Sequence, residues 1–256
     1  MKRLFTCILL LSCVFIFKST VAQENTPKPK FMVWEVMVNP MQMDKLMDAI
    51  QFQHQYLKEQ NYPFEGFVQY TNDGYFWYST GFQNYSDIDK MNAADEKLWS
   101  SNDKKLEEIQ KKFEGAYNSI GSFILELQPE LSIMPPQQDA APTGTKFRYF
   151  ETFYLKQGKQ QEIEEAIKKY IALRKKYGYD AAMYTLYPRF DDNLSVLYFI
   201  DELGNNAADY YTKNQEKWAK FGEEGEQLWD EVKPLLERIE SHSGWANYDV
   251  SYFPEN

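Results

Sequence analysis

The chain repeats itself. Leu46, Ala49 and Ile50 recur 117 residues later as Ile163, Ala166 and Ile167, and the same offset carries Asn61-Tyr62 onto Gly178-Tyr179 and Phe67 and Tyr70 onto Tyr184 and Tyr187. Upstream, WEVMVNP lies beside FETFYLK; downstream, Trp77-Tyr78 lies beside Leu197-Tyr198 and Trp99 beside Trp218. No single match is strong, but the matches keep one order and a nearly constant offset. A duplication constrains the fold tightly, because each copy must hide the same apolar faces and the simplest way is against the other copy.

Each copy reads as strand, helix, two strands, helix, strand. In the first, a strand at 31–38 precedes a helix at 41–60, where Leu46, Ala49, Ile50, Gln53 and Leu57 keep helical spacing. EGFVQYT and YFWYSTGF form a hairpin around Asn72-Asp73-Gly74. A helical region at 86–117 breaks near Ser100-Ser101-Asn102, whose polar side chains suit a new N-cap, and SFILELQ closes the unit. In the second copy the elements fall at 147–155, 159–177, 180–188, 194–201 and 206–239, the last kinked or restarted at Pro234, and WANYDVSYF ends it. The organisation is therefore a first repeat at 31–128, a Pro-rich, semi-extended linker at 129–146 and a second repeat at 147–256, behind a short tail at 23–30.

The order β-α-β-β-α-β is the ferredoxin-like split unit, whose sheet is covered by helices on one face only. Two such units, packed sheet to sheet, resemble the dimeric α/β-barrel superfamily, which includes antibiotic-biosynthesis-monooxygenase-like, NIPSNAP-like and chlorite-dismutase-like families. The resemblance implies an α+β fold: an intrachain pseudo-dimeric α/β barrel covering nearly the whole chain after residue 30. It rests on element order and duplication, so it speaks to fold before function. The superfamily includes haem enzymes, cofactor-free oxygenases and simple binders, with sites inside the barrel or between sheet and helix. Its chlorite-dismutase-like haem members hold iron through a histidine. Neither His54 nor His242 sits in a matching pattern, so no cofactor is expected and haem is not favoured.

The first 22 residues, MKRLFTCILLLSCVFIFKSTVA, have the basic start, apolar run and small-residue exit of a signal peptide cleaved after Ala22. Export to a periplasmic or extracellular space follows, and the product has no cysteine, since Cys7 and Cys13 both leave with the leader. Leu10-Leu11-Ser12-Cys13 resembles a lipobox, which would make Cys13 a lipidated N-terminus; the apolar run continuing through Phe17 argues against that minority reading. Loss of Lys2, Arg3 and Lys18 leaves 25 basic against 38 acidic residues, a net charge of −13. Such a surface repels nucleic acid and anionic lipid. No later segment is a transmembrane helix. The expected partner is a neutral or cationic small molecule or another protein, and self-association into a homo-oligomer is left open.

Two acids interrupt apolar strands: Glu35 in MVWEVMV and Glu151 in RYFETFY. Alternation puts Glu35 opposite the more apolar face of its strand, into the space between the sheets, and the repeat puts Glu151 there too. Tyr70 and Tyr187, or Tyr78 and Tyr198, are expected to line the same space. Aromatic residues make up 17% of the chain, which favours a lined cavity or an interface. His54 stands where the other copy has Ile171, as a core histidine with its hydrogen bonds made or as an acid, base or ligand in one half only. No catalytic residue is assigned and no metal site is expected: there is no Cys/His zinc pattern, no calcium-loop spacing, no phosphate loop and no Gly-x-Ser-x-Gly elbow. The leading expectation is an exported protein binding a small, partly apolar ligand in an aromatic, glutamate-containing barrel pocket. The alternatives are a cofactor-free oxygenase or haem-handling enzyme, and a protein-interaction module without ligand.

Overall fold

A computed structural model describes residues 27–100, 104–136, 143–191 and 193–254; the leader with Cys7 and Cys13, and part of the Pro-rich linker, lie outside them. Among the described residues, eight strands close into one antiparallel barrel. The first half supplies β1 (Lys30–Met37), β2 (Gly66–Thr71), β3 (Tyr75–Phe82) and β4 (Ser119–Leu127). The second supplies β5 (Thr145–Leu155), β6 (Met183–Phe190), β7 (Val196–Asp201) and β8 (Leu236–Tyr252). Around the barrel the order is β1-β3-β2-β8-β5-β7-β6-β4. Two seams, β2–β8 and β4–β6, join the halves. Closure removes the exposed edges that either half alone would leave. Helices α1 (Met43–Glu59), α2 (Ser86–Trp99) and α3 (Lys104–Phe113) belong to the first half, and α4 (Gln160–Lys176) and α5 (Ala207–Val232) to the second. No helix among the described residues is long and apolar enough to cross a membrane.

The helix faces are those the repeat implies. Leu46, Ala49, Ile50 and Leu57 of α1 are buried, as are Ile163, Ala166, Ile167 and Ile171 of α4. The β2–β3 hairpin turns where Asp73-Gly74 indicates, with Gly74 at φ 103° and its N–H donating to the Thr71 carbonyl at 3.2 Å. Asn206 caps α5 by accepting the Asp209 N–H. Gly222 then breaks that helix at φ 52°, ψ −134°, a conformation open to glycine and strained for other residues.

One expectation needs correction. The last helix does not run to 239: it ends at Val232, Pro234 lies in a short 3₁₀ turn, and β8 begins at Leu236. Glu237 to Glu240 have a helical composition, but long-range pairing along the whole of β5 overrides it. The start of the linker packs on the second half: Leu131 and Ile133 are buried there and Ile133 bridges Met183.

The middle of the barrel is a packed core. Val33, Phe123, Leu125, Phe150, Leu186 and Ile200, drawn from both halves, form one cluster. Toward one end, buried Arg148 donates to Glu202 and Gln69, lies over the Phe67 and Tyr184 rings and borders a cavity of about 200 Å³. The other end, near Glu35, stays recessed. At the β2–β8 seam a Cβ on Gly244 would stand 2.0 Å from the Tyr70 carbonyl oxygen and 2.8 Å from the Thr71 Cα, both backbone atoms. Gly244→Ala should therefore lower stability by about 1–3 kcal/mol, read from chemical denaturation; an unchanged midpoint would show that the seam relaxes freely.

Candidate functional site

Strand parity decides where the two glutamates face. Glu35 pairs with Trp77 across β1–β3, and both point into the barrel. Glu151 pairs with Phe199 across β5–β7, and Phe199 packs under α4. The residue of β5 that matches Glu35 is Thr152, which pairs with Tyr198 and lines the barrel end beside Glu35. The residue of β1 that matches Glu151 is Trp34. The strands thus obey the offset of 117 seen in the helices; aligning glutamate on glutamate uses 116, and one residue of slip reverses every side chain. The expectation that both acids share the inter-sheet space is corrected for Glu151.

The tyrosines divide in the same way. Tyr198 points into the barrel, Tyr78 and Tyr187 lie on helix-covered faces, and Tyr70 packs toward α1 while reaching the barrel rim. His54 lines neither the barrel mouth that holds Glu35 nor the cavity beside Glu151. Its Nδ1 meets the Val250 carbonyl at 2.5 Å and its Nε2 the Tyr78 hydroxyl at 3.3 Å, and it packs on Tyr78 and Tyr252. Burial lowers its imidazole to about 4 against the opposing pull of the Val250 carbonyl, so it stays neutral and ties α1 to β8. An acid beside His54, as the enzyme alternative anticipates, is not what this geometry builds.

Glu151 instead borders a cavity of about 690 Å³ between the second half's sheet and helices α4 and α5. Its walls are largely aromatic and aliphatic: Phe153, Ile167, Tyr170, Phe199, Trp218 and Leu228 among them. Gly222 and Gly225 line it where α5 breaks. At its polar side lies a buried ionic network. Arg174 Nη1 donates to Asp201 Oδ2 at 3.1 Å, and the other guanidinium nitrogens reach the carbonyls of Tyr179 and Ala181 at 3.1 and 2.9 Å. Lys217 Nζ donates to the Tyr170 hydroxyl at 2.6 Å and lies 3.9 Å from Asp201 Oδ2. Asp201 Oδ1 is buried with no hydrogen-bond donor among the described residues.

This environment shifts the titrating groups. Burial, reinforced by the Asp201 charge and opposed by Lys217, pushes the Glu151 carboxyl up to about 7. Burial also lowers the Lys217 ammonium to about 8, against the pull of Asp201. Tyr170 is held as a phenol by burial and by Asp201. The result is an acid that titrates near neutrality, reachable from an apolar cavity, with a cation close by.

Sequence reasoning missed Arg174, Lys217 and Asp201, although a signal was there. Lys217 lies on the buried stripe Tyr210, Phe221, Leu228 of α5, and Arg174 continues the stripe Ile163, Ile167, Ile171 of α4. A charge on an apolar helix stripe has to find a buried partner. The first half has a smaller counterpart cavity of about 310 Å³, where Trp34 stands in the place of Glu151. Trp99 and Trp218 do not act alike: Trp218 stacks on Tyr170, whereas Trp99 is 38% exposed.

No family model matches the sequence, and no curated protein does. Solved structures do match. A protein from Lactobacillus acidophilus NCFM, provisionally named a monooxygenase, superposes with a TM-score of 0.54 at 8% identity over 88% of this chain and 98% of that one. One from Fusobacterium nucleatum, named in the same way, gives 0.54 at 11% identity over 86% and 93%. An anthrone oxidase-like protein gives 0.53 at 10% identity over 87% and 92%. This chain has the dimeric α/β-barrel fold. At such identities the likeness concerns the backbone, and chemistry has to be read from the residues. The dimeric α/β-barrel fold includes histidine-ligated haem proteins, and the residues here do not fit that group: the chain's two histidines are His54, bound to Val250 and Tyr78, and His242, paired with Asp73 at the barrel's end, and neither lines the large cavity.

Proposed function

We propose that this is an exported protein that takes a small, largely apolar organic molecule into the cavity beneath α4 and α5, with Glu151 meeting the molecule's polar end. The observation that carries this is the meeting, in one cavity, of an aromatic wall and a half-buried acid that titrates near neutrality. Apolar pockets with a few convergent polar groups are the usual form of small-molecule sites. The signal-like residues 1–22 support export. Strand order supports a tandem of two ferredoxin-like units, β4-β1-β3-β2 and β8-β5-β7-β6, in which the second unit alone has an acid at this place.

The raised Glu151 carboxyl favours a second reading, that the protein is also an enzyme. At neutral pH both its forms are populated, so it can accept a proton from an acidic C–H or O–H of the ligand while Lys217 steadies the anion left behind. Proton removal of this kind is the opening step a cofactor-free oxygenase needs.

Matched probes test the site. 1-Naphthol should bind more tightly than naphthalene, on the order of tenfold, because only the naphthol donates a hydrogen bond to Glu151. That preference should grow as pH rises through about 7, where the carboxylate replaces the weaker acid acceptor. Glu151→Gln should remove the pH dependence, and Ala219→Trp, at an exposed α5 position lining the cavity, should weaken both probes. Equal binding of the two probes, or a preference untouched by Glu151→Gln, would sink the assignment.

A further inference from the structure

Glu35 lies at the barrel's recessed end. We infer that this mouth is a second site, for a small organic cation, on the other side of β5 and β7 from the cavity under α4 and α5, with Glu151 and Phe199 bordering both. It is a cavity of about 200 Å³ with Glu35 in its wall and aromatic rings around it. Trp77 meets Tyr198 at 5.6 Å and Phe150 at 5.8 Å, each edge to face, and Tyr75 packs against His242 at 5.0 Å. Ring faces attract cations, and quaternary ammonium groups are held in such cages. The rim already carries one such contact: the Arg238 guanidinium lies 3.6 Å above the Tyr154 ring.

Charge accounting singles out Glu35. Glu240 is engaged by Arg238 at 2.8 Å and by the Tyr154 hydroxyl at 2.8 Å. Asp73 pairs with His242 at 2.6 Å, and Asp191 accepts from Tyr198 at 3.2 Å. Glu35 accepts the Trp77 indole N–H at 2.7 Å, but no lysine or arginine among the described residues pairs with it. A carboxylate half withdrawn from water and walled by rings, with no lysine or arginine paired to it among the described residues and the nearby His242 taken up by Asp73, fits an ammonium group. A neutral occupant would desolvate that carboxylate without compensation. A bare metal ion fits poorly, since hard cations demand several oxygen ligands at once and no group of three His, Cys, Asp or Glu among the described residues is so placed.

Choline and 3,3-dimethylbutan-1-ol, its uncharged carbon counterpart, are the probes, titrated by calorimetry into the exported protein. Choline should bind saturably and at least tenfold more tightly than the alcohol, roughly the strength of a partly desolvated cation–π and ion contact. Glu35→Gln, which keeps an acceptor for the Trp77 indole, should cost on the order of tenfold in choline affinity. Ala219→Trp, in the other cavity, should leave choline binding unchanged, which separates this site from the one under α4 and α5. Equal binding of the two probes, absence of saturable choline binding, or an unaltered Glu35→Gln variant would each overturn the inference. Should Glu35→Gln fail to fold, Thr152→Lys, which supplies an internal cation at the same mouth, must abolish choline binding; binding that persists overturns it equally.

Discussion

Arg174→Ala should lower the melting temperature by roughly 10 °C or more, the largest single-site loss expected in this protein. The Arg174 side chain is fully buried, and its guanidinium makes three hydrogen bonds, one of them to Asp201. Asp201 is itself 2% exposed, and its other near cation, Lys217, stands 3.9 Å away. Removing the guanidinium strands a carboxylate in low dielectric and takes a donor from the carbonyls of half-buried Tyr179 and Ala181. Breaking a buried pair from one side costs about 3–5 kcal/mol. The loss should be conditional on the charge left behind. Arg174→Met combined with Asp201→Asn takes away both charges, and it should recover a good part of the stability that Arg174→Met loses alone. Thermal melts of the single and double variants decide the matter: if the double variant is as unstable as the sum of the singles, packing and not charge isolation sets the cost.

The second large effect concerns pH. Glu151 titrates at about 7 in the folded protein against an ordinary value of 4.5 in the unfolded chain. Between those values the folded state holds a proton that the unfolded state has released, so this group makes stability fall as pH rises. His54 works in the opposite sense. It titrates at about 4 when folded and at 6.5 when unfolded. In that window the unfolded chain holds the extra proton, and stability rises with pH. Each contribution amounts to about 3 kcal/mol over its window. Between pH 4.5 and 6.5 the two nearly cancel in the wild type. Glu151→Gln should expose the His54 slope, with the melting temperature climbing across that window by roughly 6–12 °C. His54→Gln should expose the Glu151 slope, with the melting temperature falling instead. Parallel curves for the wild type and Glu151→Gln would mean that Glu151 titrates as an ordinary solvated acid.

How much of this was legible beforehand depends on the range of the interaction concerned. Leu46, Ala49 and Ile50, with Ile163, Ala166 and Ile167, marked the buried faces of α1 and α4, because helical spacing is local and twice repeated. Asp73-Gly74 marked the β2–β3 turn, because a positive φ is a demand on one residue. Glu237 to Glu240 were misread as helix, because their strand conformation comes from pairing with β5, about 85 residues earlier in sequence. His242 carried no local mark at all. It becomes part of the barrel's mouth because β8 extends past its apolar segment and brings it beside Glu35.

The sequence by itself determined the order of elements, the duplication and the apolar stripes, since these follow from periodicity and from an offset of 117 that both helix faces share. Only the tertiary structure decided which face of the barrel each glutamate serves. A strand's parity is fixed by the register of its partners, and one residue separates an acid in the lumen from an acid in a helix-covered cavity. The same holds for the network of Arg174, Asp201 and Lys217, three residues on α4, β7 and α5 that burial brings together and whose charges compensate one another there.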